Sequence, residues 1–269
     1  MSLLRIALRF LILLVSQAAM GALPAFAQSG EPGCRPEMAS YRLPIQRAQL
    51  TRDEVRLTFV GHATFLIETP GGVRIATDYN DYVRPPVTPD IATMNKAHST
   101  HYSNRPDPGI KLVLRGWDPE GKGAARHDLT LGDVRVRNVP TNIRTLDGGT
   151  DYDGNSIFVF EIGDLCIAHL GHLHHPLEPG HLRALGRVDV VLFPVDGSYT
   201  LDQEGMLEVL KSLQARVMIP MHFFGGGTLE RFLSRTRDLW PVERRGEPAI
   251  TLSRAGLPAR PTVIVLPGR

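Results

Sequence analysis

The chain of 269 residues is poor in cysteine, holding only Cys34 and Cys166, so at most one disulfide can form. It also lacks a surplus of charge. Lys and Arg number 30 against 28 Asp and Glu, and this near-neutral balance argues against a nucleic-acid partner, whose phosphates call for excess basic residues. No apolar run reaches the ~20 residues that a membrane span requires. No period repeats and no low-complexity linker divides the chain, so repeat architectures are excluded and one domain is the simpler organisation. With 42% hydrophobic and 22% charged residues, there is ample material for one large core.

The N-terminus has a texture of its own. Arg5 and Arg9 precede the apolar run Phe10 to Val15, and small residues then lead to Ala25-Phe26-Ala27, an A-x-A cleavage pattern. Residues 1–27 read as a secretory signal peptide, which implies export to the periplasm or the medium and no stable membrane insertion after cleavage. Residues 28–53 form a leader segment without periodicity, and 54–269 form the domain. In an oxidising compartment Cys34 and Cys166 could pair, although Cys166 lies in an apolar strand where a buried free thiol is the plainer reading. Cys34 is not preceded by a lipoprotein-type Leu-x-(Ala/Gly), which excludes a lipid anchor on it.

From Val55 onward, alternating and apolar runs predict strands: VRLTFVG, FLIET, VRIATD, IATMN and KLVLRGW. Hairpin turns are expected at Pro70-Gly71-Gly72, Gly132-Asp133 and Gly163-Asp164. The second half alternates helix with strand: a short helix over Pro179 to Leu185, the buried run VDVVLFPV, and a helix opened by Thr200 and Gln203 as a capping box. The strand VMIPMHF, a helix from Thr228 to Thr236 and two final extended segments follow.

Histidines gather where these strands end. His62 follows VRLTFVG, His98 and His101 follow IATMN, His169 and His172 follow LCIA, and His222 follows VMIPM. Imidazoles collected from loops at one sheet edge suggest a metal site. The spacing Lys96-x-His98-x-Thr100-His101 has the form His-x-His-x-Asp-His, with Lys and Thr in place of its first His and its Asp.

These segments, above all VRLTFVGHATFLIETPGGVRIATD, NSIFVFEIGDLCIAHLGHLHHPL, VDVVLFPVDGSYT and VMIPMHFFG, resemble the metallo-β-lactamase superfamily. The similarity is to the branch with ascorbate-phosphate lactonase and N-acylphosphatidylethanolamine phospholipase D, and it spans about Val55 to Phe224. The resemblance implies an α/β fold, a four-layer αββα sandwich with its site along one edge of two sheets. It also implies that Lys96, His98 and Asn142 stand where the family's first metal is held, so that metal is expected to be lost. Thr100, His101, His172 and His222 stand at the second metal position. One divalent ion, zinc ahead of manganese or iron, is then expected on His101, His172 and His222, with His98 nearby.

The remaining residues receive roles beside the site. Lys96 either substitutes electrostatically for the lost ion, stabilising an oxyanion, or forms a salt bridge with a nearby carboxylate such as Asp78. Asp78 orients a ligand imidazole, Asp196 is a further ligand or general base, and His174 or His175 is a substitute ligand or proton shuttle. His62 stands beside the site or meets substrate. His169 is a packed strand residue, and His127 and His181 lie at the surface. Residues 146–154 lack calcium-loop spacing and read as a solvated turn. The expected function is an exported, mononuclear metal-dependent hydrolase of an ester, lactone or phosphodiester, with a small-molecule substrate. The alternative is a pseudo-enzyme that uses the altered pocket as a binding module.

Overall fold

Residues 50–268 are described in the computed structural model. The expected signal peptide, most of the leader and any bond to Cys34 lie outside the described residues. Among the described residues there are fourteen strands and three helices. The first strands are β1 (Val55–Gly61), β2 (Thr64–Glu68), β3 (Arg74–Ala76), β4 (Ile91–Met94), β5 (Leu112–Arg115), β6 (Asp128–Leu131), β7 (Val134–Arg144), β8 (Thr150–Ile162) and β9 (Leu165–His169). Helix and strand then alternate as α1 (Pro179–Leu185), β10 (Val190–Pro194), α2 (Gln203–Leu213), β11 (Val217–Met221) and α3 (Gly226–Thr236). The chain closes with β12 (Val242–Arg244), β13 (Ala249–Leu252) and β14 (Thr262–Val265).

The strands form two mixed sheets, ordered β13-β1-β2-β3-β4-β5 and β12-β14-β11-β10-β9-β8-β7-β6. Period-two alternation decides which side chains meet between them. Leu57 and Phe59 of β1, Phe65 and Ile67 of β2, Phe158 and Phe160 of β8, and Leu192 and Ile219 of the parallel strands share one buried cluster. The opposite face of the larger sheet presents Val159, Ala168, Val191, Phe193 and Met218 to Leu185, Met206, Leu210, Phe232 and Leu233 of the three helices. On the outer face of the smaller sheet, Ala76, Ala92 and Met94 are covered by Tyr79, Tyr102, Ile110 and Trp117 from connecting segments. The chain is thus the α/β sandwich expected, with the helices described all packing on the larger sheet.

Local chemistry explains most boundaries. Gly132 and Gly163 turn the β6–β7 and β8–β9 hairpins with positive φ, as the sequence indicates. Pro220 sits inside β11, but pairing with β14 is registered only at Val217 and Met218, so the missing N–H removes no rung on that side. The expected capping box is corrected: α2 begins at Asp202, whose carboxylate accepts a hydrogen bond from Gly205 N at 2.9 Å. The Thr200 hydroxyl donates instead to Asp196, four residues earlier and outside the capping-box pattern.

Candidate metal centre

Every histidine of the cluster hangs from the C-terminal end of a strand. His62 follows β1, His98 and His101 follow β4, His172 follows β9 and His222 follows β11. The two sheets are tied at this edge by a backbone hydrogen bond from His222 N to His62 O at 2.8 Å. Three residues here, His62, Asp78 and His222, hold positive φ at 52°, 40° and 56°. For side chains other than glycine such backbone costs on the order of 1–3 kcal/mol each, which packing elsewhere must sustain.

The structure brings His98, His101, His172 and His222 together, with one ring nitrogen of each lying within 4.8 Å of the others. His98 Nε2 is 2.9 Å from His172 Nε2, and His101 Nε2 is 3.2 Å from His222 Nε2. All four rings therefore face inward through Nε2. Each Nδ1 then points outward to its own partner: Thr100 Oγ1 at 2.8 Å for His98, Asp78 Oδ2 at 2.6 Å for His101, His174 Nε2 at 2.6 Å for His172, and Asp196 Oδ1 at 3.0 Å for His222. Outward partners of this kind fix tautomer and ring plane, leaving the inward nitrogens as lone-pair donors.

Electrostatics favours the same protonation state. Burial first, and then the neighbouring imidazoles, hold His98, His101 and His172 below the ordinary histidine range, His101 well below it. His62 is lowered to about 3 by burial and by His222 and His98. Neutral rings with facing lone pairs repel one another unless something positive lies between them. The donor set present therefore fits a metal ion.

Asp78 is fully buried, and burial raises its carboxyl to about 6 against the opposing effects of His169 and Asn95. Asn95 Nδ2 donates to Asp78 Oδ1 at 3.0 Å, while Asn95 Oδ1 accepts from Ser156 N at 2.8 Å. Asn155 Oδ1 accepts from His172 N at 2.8 Å. Between these amides sits Gly171, with φ 58°, where an added Cβ would fall 2.4 Å from Asn95 Nδ2 and 2.5 Å from Asn155 Oδ1. Sequence reasoning missed both asparagines. The available signal was a polar residue ending or preceding an otherwise apolar strand, as in IATM-Asn95 and Asn155-SIFVF.

Other residues singled out in the sequence take these partners. Asp196 accepts from the backbone N–H groups of Ser198, Tyr199 and Thr200 and from the Thr200 hydroxyl, and it also pairs with His222. Burial opposes its charge, but His222 and the Thr200 hydroxyl outweigh that and hold the carboxyl well below the carboxylate range, which favours the ionised acceptor seen against His222 and the backbone of residues 198–200. Lys96 Nζ lies 2.7 Å from Asp151 Oδ2, not beside Asp78. His174 Nε2 lies 2.6 Å from His172 Nδ1 and so backs a ring of the cage. Asn142 Oδ1 accepts from Asp153 N, and its own N–H donates to His175 Nε2 on the loop between β9 and α1; neither residue belongs to the four-ring cluster.

The other histidines are structural. His169 is fully buried, with Nε2 donating to Ala63 O at 2.9 Å. His127 is half-buried, with Nε2 donating to Arg115 O at 2.7 Å, and His181 caps α1 at Glu178.

Residues 56–222, which include all four inward rings, match the family model of the beta-lactamase superfamily domain. The chain belongs to this superfamily. Among relatives, a UPF0173 protein of Pyrococcus abyssi is 27% identical over 220 residues, covering 70% of this chain and 98% of its own. A UPF0173 metal-dependent hydrolase of Thermoplasma acidophilum is 34% identical over 191 residues, covering 64% of this chain and 84% of its own. A crystal structure from Thermotoga maritima, assigned to the metallo-beta-lactamase superfamily, is 29% identical with a TM-score of 0.59, covering 80% of this chain and 100% of its own. Within the superfamily fold, the site edge of this chain is the edge that carries the imidazole cluster.

Proposed function

We propose that the chain is an exported metal-dependent hydrolase that holds one divalent ion, zinc foremost, and cleaves an ester, lactone or phosphodiester in a small-molecule substrate. One observation carries this reading: four inward Nε2 atoms within 4.8 Å of one another, each ring braced from outside. Support comes from the Thermoplasma acidophilum relative, named a metal-dependent hydrolase, and from the Thermotoga maritima structure, assigned as Zn-dependent. An all-imidazole donor set suits zinc better than manganese, which favours carboxylate oxygen. A bound divalent ion would supply Lewis-acid polarisation and a hydrolytic water of lowered pKa.

The chain's own residues divide the remaining work. His101, His172 and His222 are buried while His98 is half-exposed, so substrate approaches on the His98 side. With His98 donating its lone pair from Nε2, its Nδ1–H donates to Thr100 Oγ1, and the Thr100 hydroxyl donates in turn to His62 Nε2 at 3.0 Å. His62 then carries its proton on Nδ1 and offers it to an oxygen of the substrate. Asp78, His174 and Asp196 hold three of the four cage rings in register from behind.

Elemental analysis and chelation test the reading. About one equivalent of metal per purified chain is expected. Hydrolysis across a panel of nitrophenyl esters, a bis(nitrophenyl) phosphate and simple lactones should disappear with a chelator and return with zinc. A stable, metal-free chain would support the binding-module alternative, and full turnover without metal would end the hydrolase reading. Export is checked on the same sample, whose N-terminal residue should be Gln28.

A further inference from the structure

Two adjacent phenylalanines after β11 have opposite fates. Phe223 packs into the cores on both sides of the larger sheet, whereas Phe224 turns outward and is 63% exposed. Its ring stands 5.4 Å from His62 and 5.3 Å from His222, centroid to centroid, and 5.9 Å from Tyr199, itself 59% exposed. Two large rings left in water beside the imidazole cage bring the fold no burial energy.

Their placement is fixed. Tyr199 N donates to the Asp196 carboxylate at 2.6 Å, the same carboxylate that lies against His222. Across the mouth, the β7–β8 arm carries exposed Leu146 and Tyr152. It is fastened to the neighbouring loops by Arg144 Nη2, which donates to Ser198 O, and by Lys96 with Asp151. No cation stacks on Tyr199 or Phe224 among the described residues.

We propose that Phe224 and Tyr199 form a receiving wall for a planar apolar group of the substrate, next to the bond that is cleaved. This assigns the substrate class as an aryl-bearing ester or phosphodiester, and it rests on the hydrolase reading above. The rings are preorganised and lose little conformational freedom on contact, so burying them against an aryl group adds affinity with small entropic loss. The polar centre fixes the reacting group while the wall selects its neighbour.

A pair of metal-directed probes that differ only in that neighbour tests the wall without turnover. The zinc-loaded full chain is titrated calorimetrically with acetohydroxamate and with benzohydroxamate. The expected result is a dissociation constant at least about tenfold lower for benzohydroxamate. Phe224→Ala should erase that advantage and leave acetohydroxamate binding unchanged; Phe224 is exposed, so the variant should fold. Tyr199→Phe, which keeps the ring, should retain the advantage. Equal affinities in the native chain, or an advantage that survives Phe224→Ala, would overturn the wall while the metal reading stands. Failure of acetohydroxamate to bind would overturn the hydrolase reading and the wall with it.

Discussion

Replacing His101 with alanine is expected to reduce bound metal to a trace and to lower kcat/KM by at least about a thousandfold, roughly 4 kcal/mol of transition-state stabilisation at 1.36 kcal/mol per tenfold. His101 is completely buried, contributes Nε2 to the cage and is held by Asp78 at 2.6 Å. Its removal takes away one of four donors and also leaves the Asp78 carboxylate facing a cavity, with only the Asn95 amide on its other oxygen. Breaking a buried pair in this way costs on the order of 3–5 kcal/mol of stability, so loss of fold could imitate loss of metal. His98→Ala separates the two. His98 is half-exposed and its Nδ1 partner is the neutral Thr100 hydroxyl, so this variant should fold and still bind metal more weakly. His169→Gln supplies the opposite control: His169 is as buried as His101 but hydrogen-bonds Ala63 O outside the cage, so its loss should leave metal content intact. Metal content by elemental analysis, with kcat/KM on the most active substrate of the panel, decides the matter. Stoichiometric metal and unchanged turnover in His101→Ala would sink the assignment.

The strands, their turns and the gathering of histidines at strand ends were legible because each follows from a local rule, whereas the choice of His98, His101, His172 and His222 among those histidines rested on the resemblance to the superfamily. Alternation marks β1 and β2, continuous apolar runs mark β10 and β11, and glycine marks the turns at Gly132 and Gly163. A histidine just past such a run must emerge at a sheet edge, which brings His62, His101, His172 and His222 to the same edge once the strand order is known. The partners of those rings were less legible, because they are chosen across the chain. Asp78 was expected to orient a ligand imidazole and holds His101, 23 residues away, whereas Asn95, which Ser156 N reaches over 61 residues, was not foreseen. Thr200 and Gln203 have the spacing of a capping box, yet Asp196 captures the Thr200 hydroxyl and Gln203 donates to Val195 O. Lys96 was given a nearby carboxylate such as Asp78 as the alternative to an oxyanion role, and the β7–β8 arm brings Asp151 within 2.7 Å. Local pattern thus placed the histidines at strand ends, while competition among acceptors decided how each is held.

Acid should unfold the metal-free chain well before it affects the metal-loaded one. His101, His169 and His172 are buried, and burial before any other cause lowers each below its ordinary value. In the unfolded chain these rings take protons near pH 6.5, whereas the folded chain excludes them. Below about pH 6 the unfolded state therefore holds more protons at these sites than the folded state, and stability falls as pH falls. Asp78 works in the opposite direction. Its carboxyl is raised to about 6, so the folded chain keeps one proton that the unfolded chain releases until about pH 3.9. Three rings stand against one carboxyl, and each net proton of difference is worth about 1.4 kcal/mol per pH unit. His62, lowered to about 3, and His174, lowered to about 4 chiefly by burial, add to the same side, though partial solvent contact reduces their share. Asp196, held low by His222 and the Thr200 hydroxyl despite its burial, keeps its stabilising effect through this window and loses it only at lower pH. Even one net proton sustained across two pH units removes about 3 kcal/mol, a sizeable share of the roughly 5–15 kcal/mol that holds an ordinary domain together. A metal on the cage binds the folded chain with neutral rings and opposes this loss through its own binding free energy. Urea unfolding of the chelator-treated full chain at pH 7 and pH 5 should therefore differ by about 3 kcal/mol, with the zinc-loaded chain falling less. A flat profile in the metal-free protein would mean that the cage is not a cluster of buried neutral imidazoles.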